Sequence, residues 1–527
     1  MFIEPNSTIK ILRDVPLDIT YEHTIYFDNI TDQYNYFNSK VKPTTFPDTN
    51  SYTLTKQSYT RPSSNQIRIE IVSDKLYDCN YIMFQNTNFG SKWFYAFIKK
   101  ITYINNQVSV IDFELDVMQT WFFNYHLKMS FVDREHSSSD NLFDNIIEES
   151  LDAGAEYETA EKQDVSLNDM VICGEIAPYA SGTINGVVVD NVYYCGTPFI
   201  YDINDPNDIA NLNTLLSNVS DSQQILSMYQ APKTKIHQSV ATISCKGSGT
   251  ISNFGTYTPK NNKLYIYPYN VVVVSNNAGN SAIYKFENSE FSDIEFMLDA
   301  SNMGNAEAFL YPHYYRGVND DYESGLTLNN FPVCGWLTDT YKAWWAQNQS
   351  SYVNNWTWGA VEALLGVGQI AVGINEDIPG GGGLGKLASG FKQIATAVSK
   401  KNDVKAIPPQ ANGHFVKTTL NARMNRTGFS IYHQHIKEEY ARIIDDFFTK
   451  YGYACKRVKY PNRKSRRYWT FIKTIGCVIE GNMPCDDEKA ICDIYDNGIT
   501  FWKYTSGETL KVGDYSQNNT VTGVEGG

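Results

Sequence analysis

The sequence predicts a mainly β fold with helical segments, of the α+β class. Its 527 residues are 14% aromatic but only 19% charged, a balance that favours half-buried sheet surfaces over charged helical bundles. Hydrophobic residues make up 42% of the chain, which is enough for a sizeable buried core. Residues 66–72 alternate strictly, with isoleucines on one face and charged residues on the other. This composition excludes an intrinsically disordered chain, a coiled coil and collagen.

The first 135 residues are predicted to form successive strands. After the strand at 66–72, the pattern indicates strands at 80–85 and 92–104 and a further strand that begins at Val108. In this last strand the apolar positions change face between Val110 and Ile111, which predicts a β-bulge. Because bulges are frequent where a sheet curls towards a barrel, we expect a curved, barrel-like block.

Helices are predicted where apolar residues recur at the spacing of one helical face. The first is expected at 140–152, with Asp140 as its N-cap, and the last is an amphipathic helix from Tyr432 to Lys450. Between them, the region 165–340 is polar and irregular. Within it we expect a short helix pair in 206–229 and a hairpin: 263–275, the turn 276–280, and 281–286.

An abrupt change in composition follows this polar region. Four tryptophans between 344 and 358 precede an uncharged apolar stretch, 363–375, which is shorter than the ~20 residues of a transmembrane helix. Gly380–Gly383 separates it from a weakly amphipathic segment, 384–398. Two interpretations remain open, a buried core helix and an interfacial, membrane-active loop. The second assigns these residues to the membrane: Trp356, Trp358, Val361, Leu364, Leu365, Val367, Ile370, Val372, Ile374, Leu384, Leu387, Phe391, Ile394 and Val398.

The charge balance argues against a general DNA-binding protein. The chain has 44 basic and 58 acidic residues, a net charge of −14, whereas attraction to phosphates needs a positive surface. One stretch is nevertheless strongly basic and contains no acid. It is either a solvated face or a contact with nucleic acid or an acidic partner surface. Its cations are Lys456, Arg457, Lys459, Arg463, Lys464, Arg466 and Arg467.

The motifs of known catalytic and metal sites are weak in this sequence, so neither an enzymatic activity nor a cofactor is predicted. Residues 380–386 match the letters of a phosphate-binding loop, but Leu387 occupies the position of the magnesium-binding hydroxyl. His433 and His435 fall in the predicted helix 432–450, where their side chains would point about 200° apart and could not share a metal ion. Nine cysteines without paired spacing, and a start without a signal peptide, predict reduced thiols in a chain made in a cytosol.

Long runs of residues in both terminal parts of the chain resemble one family. In about 5–160 and 405–505, the sequence resembles the distal tail-tube, or tail-knob, proteins of small short-tailed phages of the phi-twenty-nine type. The runs that carry the resemblance are Asp74–Tyr77, Tyr81–Asn86, Lys92–Phe97, Phe113–Val117, Gln119–Trp121, Arg134–His136, Ile407–Gln410, Tyr451–Tyr453, Arg457–Lys459 and Asp496–Thr500.

This resemblance implies a structural virion protein of the tail tip, made in the host cytoplasm. It implies a hexameric, ring-forming tube that joins other tail proteins, of the lower collar and the tail tip, and through which genomic DNA leaves. It further implies apolar loops that plug the lumen and then penetrate the host cytoplasmic membrane. The expected division is tube wall at 1–160 and 406–527, an inserted β-rich middle at 165–340 and an apolar loop at 345–405. The alternatives are a receptor-binding module and a cell-wall hydrolase.

Overall fold

A computed structural model gives the structure of the chain, which divides into two compact units. The terminal unit comprises Met1–Asp152, Pro259–Leu264 and Glu439–Gly527, and the middle unit comprises Ala153–Thr258 and Tyr265–Glu438. The structure describes residues 6–44, 48, 50–57, 65–87, 90–167, 169–176, 188–189, 192–193, 197–202, 204–217, 225–247, 252–301, 307–328, 331, 333–335 and 427–519.

Strands dominate the described residues, which confirms the prediction of a mainly β fold. The N-terminal strands are β1 (Ser7–Arg13), β2 (His23–Tyr26), β3 (Thr53–Gln57), β4 (Gln66–Ile69), β5 (Cys79–Asn86), β6 (Trp93–Asn105), β7 (Val108–Leu115), β8 (Tyr125–Leu127) and β9 (Ser130–Glu135). Those of the middle unit are β10 (Tyr157–Ser166), β11 (Met170–Ile176), β12 (Val188–Val189), β13 (Val192–Tyr193), β14 (Thr197–Asp202), β15 (Ile225–Pro232), β16 (Ile236–Ser244), β17 (Asn270–Ser275), β18 (Ser281–Tyr284), β19 (Asp293–Ser301), β20 (Glu307–His313), β21 (Leu326–Leu328), β22 (Val333–Gly335) and β23 (Gly428–Ile436). The C-terminal strands are β24 (Tyr453–Lys459), β25 (Trp469–Ile475), β26 (Ile479–Gly481) and β27 (Ile499–Lys503).

The helices are short and few within the described residues. Asn29 caps the first helix by accepting a hydrogen bond from the N–H of Asp32 at 2.8 Å, as N-cap residues do. The last helix carries three acidic residues in its first turn, where they interact favourably with the positive end of the helix dipole. It ends at Asn497 and is capped by Gly498, whose φ of 94° suits glycine. The helices are α1 (Ile30–Ser39), α2 (Val117–Trp121), α3 (Pro206–Ser217), α4 (Glu438–Tyr451) and α5 (Cys485–Asn497).

Two main sheets build the terminal unit. The antiparallel six-stranded sheet has the order β3-β1-β5-β6-β7-β4. The five-stranded sheet has the order β2-β27-β25-β9-β24, in which only the β2–β27 pair is parallel. A small pair, β26-β8, completes the unit. The five-stranded sheet therefore joins strands from the two ends of the chain.

The six-stranded sheet buries both of its faces. On β5, Tyr81 and Met83 belong to a core that also contains residues of the five-stranded sheet and of α5. Ile82 and Phe84, which point to the opposite face, belong to a second core made only of this sheet and its connections. That second core takes residues from each strand of the sheet from β1 to β4 in the order above, and the curvature of the sheet stays a prediction. A closed barrel remains a prediction.

The middle unit contains three four-stranded sheets. Their orders are β10-β23-β17-β18, β14-β11-β15-β22 and β16-β19-β20-β21, and β12 pairs with β13. The predicted hairpin is confirmed as β17 and β18, although its first strand begins only at Asn270. Of the predicted helix pair in 206–229, the structure confirms the first helix as α3, and residues 225–229 belong to β15; residues 218–224 lie outside the described ranges.

The predicted bulge between Val110 and Ile111 is wrong. Strand β7 pairs with β4 in an unbroken register across both residues. The buried face of β7 instead includes Ser109, a polar residue that is fully buried. Its hydroxyl donates a hydrogen bond to the carbonyl of Ile71 at 2.6 Å. The bulges lie in the neighbouring β6–β7 pairing, at Ile98/Lys100 and Tyr103/Asn105.

The predicted helix at 140–152 is also wrong, because this segment contains only turns and chain without regular secondary structure. Phe143 has a φ of 70°, which an α-helix does not accept. Asp140 and Glu149 also use their carboxylates in contacts distant in sequence, with Tyr453 and Lys263 respectively. These tertiary contacts outweigh the helical spacing of the apolar residues.

The helix predicted from Tyr432 begins six residues later, at Glu438. His433 and His435 therefore lie in β23, where residues two apart share one face, and both are buried. In α4, Ile443 is 69% exposed while Asp445 is fully buried. The carboxylate of Asp445 accepts hydrogen bonds from the backbone N–H groups of Lys260 and Asn261, at 2.6 and 3.1 Å.

Candidate functional site

The apolar residues assigned to a membrane contact, from Trp356 to Val398, lie outside the described residues. So does the whole segment 345–405. Among the helices that the structure does describe, none combines the length and the apolar character needed to cross a bilayer.

The basic stretch lies on and after β24, and it does not form one positive surface. Lys459 pairs with the buried carboxylate of Glu135. The guanidinium of Arg463 lies over three aromatic rings, 5.7 Å from the ring centre of Tyr26, 5.1 Å from that of Phe122 and 5.5 Å from that of Tyr125.

Position along the stretch does not decide which cations are exposed. Arg466 is only 6% exposed, whereas its neighbour Arg467 lies at the surface, 3.9 Å from Glu508. Lys456 and Arg457 are also exposed, and Lys464 is half-buried. Of the seven predicted contact residues, three therefore point into the protein or pair within it.

Among the strands that the structure describes, β24 is an edge of the five-stranded sheet, with a paired strand on only one side of its backbone. Its register against β9 shifts between Ala454 and Arg457, and Lys456 at this bulge has a φ of 44°. The residues that follow, Arg457 and Val458, are exposed. A bulge of this kind redirects side chains at a sheet edge.

An apolar row crosses the sheet from this edge. Val458 on β24 lies opposite Phe131 on β9, and Phe131 lies opposite Ile475 on β25. Val458 is 59% exposed and Ile475 58% exposed. Three further exposed apolar residues flank strands of this unit: Met129 precedes β9, Tyr460 follows β24 and Val478 precedes β26. We call Met129, Phe131, Val458, Tyr460, Ile475 and Val478 the apolar row.

Two buried carboxylates hold β24 in place beneath this surface. Glu135 pairs with Lys459 and accepts from the N–H of Asn462 at 3.4 Å; burial raises the pKa of Glu135, and Lys459 opposes that rise. Glu149 accepts from the N–H of Ala454 at 3.0 Å and pairs with Arg134 and Lys263. The edge strand is thus anchored by charged hydrogen bonds, which are stronger than neutral ones.

Sequence reasoning missed the apolar row. The signal was present in part, because Val458 and Tyr460 interleave with the cations of the basic stretch. The register that brings them beside Phe131 and Ile475 joins segments far apart in the chain, and a strand pattern alone does not specify its partners.

The two neighbouring histidines of β23 make separate contacts. Nε2 of His433 lies 2.8 Å from Oδ1 of Asn270, and burial lowers the pKa of His433 to about 4. The ring of His435 stacks on Phe254 with 4.4 Å between ring centres. Within the described ranges, no group of three or more His, Cys, Asp or Glu side chains is placed to hold a metal ion.

Comparisons with known proteins agree along nearly the whole chain. A family model described as the C-terminal domain of the tail knob protein gp9 of Bacillus phage phi29 matches residues 232–520, and a model of the caudoviral major tail protein N-terminus matches residues 5–126. The chain is 26% identical to tail knob protein gp9 of Bacillus phage phi29 and 27% identical to that of Bacillus phage PZA, over 98% of each chain.

A solved structure has a similar fold. It is the tail knob protein gp12 of bacteriophage C1, with a TM-score of 0.58 and 15% identity, and the match covers 98% of this chain and 100% of that one. At this identity the likeness concerns the fold alone.

Proposed function

Since the chain belongs to the family of the phi29 tail knob proteins, whose C-terminal model covers more than half of it, we propose that it forms a ring-shaped tail knob that conducts DNA. As a member of this family it is a structural component of the virion tail. The relatives are named for a structural part, which implies a role other than catalysis. The ring, the channel and the membrane step are the proposal.

The observation that carries the ring is the apolar row on an edge strand. An exposed strand edge with contiguous apolar side chains is suited to association with another protein chain. When such a surface meets a different surface of an identical copy, the contact is head-to-tail and closes into a ring if the rotation permits. The sequence resemblance implies six copies in the ring.

The charge of the chain supports the conducting role. A net charge of −14 repels phosphates, so DNA would pass without being held. The basic stretch 456–467 is consistent with weak DNA binding, because Lys459 is paired with Glu135 and the side chains of Arg463 and Arg466 point into the protein. The cations left at the surface, Lys456, Arg457 and Arg467, could contact DNA or another tail protein of the lower collar or tail tip.

The membrane step rests on sequence alone. The tryptophans at 356 and 358 have the amphipathic rings that favour the headgroup level of a bilayer. The apolar residues that follow them form a stretch too short to span a bilayer singly, so several copies around a ring would have to act together. We propose that these segments plug the lumen before infection and enter the host cytoplasmic membrane afterwards.

Electron microscopy of the purified protein, with light scattering, tests the ring. We expect closed rings with an axial opening and a mass of several chains at concentrations above micromolar. A protein that stays monomeric at such concentrations, and virions without rings at the tail tip, would contradict the proposal. A receptor-binding module or a wall hydrolase would then be tested by binding to, and cleavage of, purified cell walls.

A further inference from the structure

A polar cavity of about 780 Å³ lies within the terminal unit. It is bounded by the segment that follows β9, by α4 and by residues 515–519. Its volume is within the usual range for small-molecule sites, ~300–1,000 Å³. The residues that line it mainly have amide, hydroxyl or charged side chains, among them Asn141, Asn261, Thr449 and Arg466. Such a lining suits a polar ligand.

Arg466 is the unusual member of this lining. The residue is only 6% exposed, and its Nε is buried with no hydrogen-bond partner among the described residues. Across the described part of the chain, no carboxylate lies within 4.0 Å of its guanidinium, and only its backbone N–H is engaged, with Thr470 at 3.2 Å. A buried guanidinium is costly unless an acceptor replaces its lost water.

The acidic groups nearby are already committed to other partners. Asp140, which lines the same cavity, interacts with Arg466 through its charge, but its carboxylate accepts hydrogen bonds from the hydroxyl of Tyr453 and the N–H of Asn262. Asp445 accepts from Asn261 and from the N–H of Lys260. His136 is neutral, because burial and the charge of Arg466 lower its pKa to about 3. The cavity therefore presents a cation whose hydrogen-bonding capacity is unused.

We propose that this cavity binds a small polar ligand through an oxyanion, a carboxylate or phosphate group, held by the guanidinium of Arg466. The planar fork of an arginine matches such a group with two parallel hydrogen bonds. Lys260, at the same cavity, adds a second positive charge, although it lies 3.6 Å from Asp446. This proposal stands independently of ring formation and membrane entry.

Thermal unfolding of the full chain at constant ionic strength tests the site. Inorganic phosphate and acetate, each titrated against chloride, are the two probes. We expect at least one of them to raise the midpoint by a few degrees in a saturable way, since a ligand that binds only the folded state stabilises it. The probe that acts at lower concentration identifies the preferred oxyanion.

Three variants separate this site from general salt effects. Arg466→Gln should lose the saturable shift, and Arg466→Lys should weaken binding about tenfold because it keeps the charge but loses the fork. Arg467→Gln, at the exposed neighbouring position, should behave as the parent chain. Calorimetric titration of the parent chain gives the affinity without depending on the variants' folding. The proposal is wrong if neither probe binds saturably to the parent chain. It is also wrong if a probe binds Arg466→Gln as tightly as it binds the parent chain.

Discussion

The backbone N–H of Phe471 donates a hydrogen bond to Nδ1 of His136 across 2.8 Å. The other ring nitrogen, Nε2, lies 3.0 Å from the carbonyl oxygen of Thr449, to which it can only donate. The imidazole therefore joins β25 to α4 as a neutral group with its proton on Nε2. Burial, and next the charge of Arg466, lower its pKa from 6.5 to about 3.

This contact predicts that the terminal unit loses stability in acid. In the unfolded chain His136 binds a proton below pH 6.5, whereas in the folded chain it does so only near pH 3. Between these values the unfolded state binds more protons, so stability falls as pH falls through 6.5 and the loss is complete near pH 3. The full loss is on the order of 5 kcal/mol. Denaturant unfolding at a series of pH values measures it.

Histidine variants provide the control for that measurement. His126→Gln, at an exposed position of the same unit, should leave the pH dependence unchanged. His136→Gln should be less stable at pH 8 and show a flatter decline between pH 6.5 and 4. Equal pH profiles for all three proteins would refute the assignment. His433, whose pKa is also lowered by burial, adds a decline of the same sign in the middle unit.

A second prediction concerns the buried charges behind β24. Glu149→Gln would leave Arg134 and Lys263 facing each other in a buried site, where the side chain of Lys263 is 1% exposed. Removing one partner of a buried ion pair typically costs about 3–5 kcal/mol. Denaturant unfolding should show a loss of this size. Glu480→Gln, which removes an exposed pairing with Lys128, should leave the midpoint close to that of the parent chain.

A third prediction concerns ring formation. Val458→Lys and Ile475→Lys each place a charge in the apolar row, and each should shift the protein from rings towards monomers in sedimentation at micromolar concentration. Their unfolding midpoints should change little, because both side chains are more than half exposed. Ile443→Lys, at a 69% exposed position on α4, should still form rings. Rings of unchanged size in both row variants would place the contact elsewhere.

A fourth prediction concerns the membrane step. A variant that lacks residues 355–400 should release less dye from anionic liposomes than the intact protein. Lys386, Lys392, Lys400 and Lys401 should favour anionic over neutral liposomes, by about 1 kcal/mol for each cation near the surface. Electron microscopy of the variant shows whether its rings survive the deletion. Equal leakage from the two proteins, or none from either at acidic and neutral pH, would leave the segment without a membrane role.

A fifth prediction concerns the cysteines. Cys79, Cys173, Cys245, Cys455, Cys477, Cys485 and Cys492 are free thiols. A reducing agent should therefore leave the unfolding midpoint unchanged. Cys477 and Cys492 have interacting side chains, which makes them the pair to examine for a disulfide, although burial raises the pKa of both thiols. If reductant lowers the midpoint by many degrees, Cys492→Ser shows whether this pair is responsible.

Local sequence patterns predicted the helices and strands whose buried residues follow the periodicity of their apolar residues in the sequence. Ile67, Ile69 and Ile71 alternate in the sequence and are all buried in the structure. The hairpin β17–β18 was predictable because its turn and both strands are adjacent in the chain. Prediction failed where a distant contact overrode the local pattern, as Lys263 does at Glu149. It also failed at 432–437, where the apolar residues of β23 happen to continue the spacing of α4.

The sequence by itself determined the fold class and, through its long matching runs, the resemblance to the tail knob proteins. Both are properties of composition and of contiguous residues. Only the tertiary structure decided that Arg466 is buried beside a cavity while Arg467 is exposed, and that Val458, Phe131 and Ile475 form one row. The reason is that burial and strand register depend on pairing between segments far apart in the chain. The residues of one segment do not by themselves specify the segment with which it pairs.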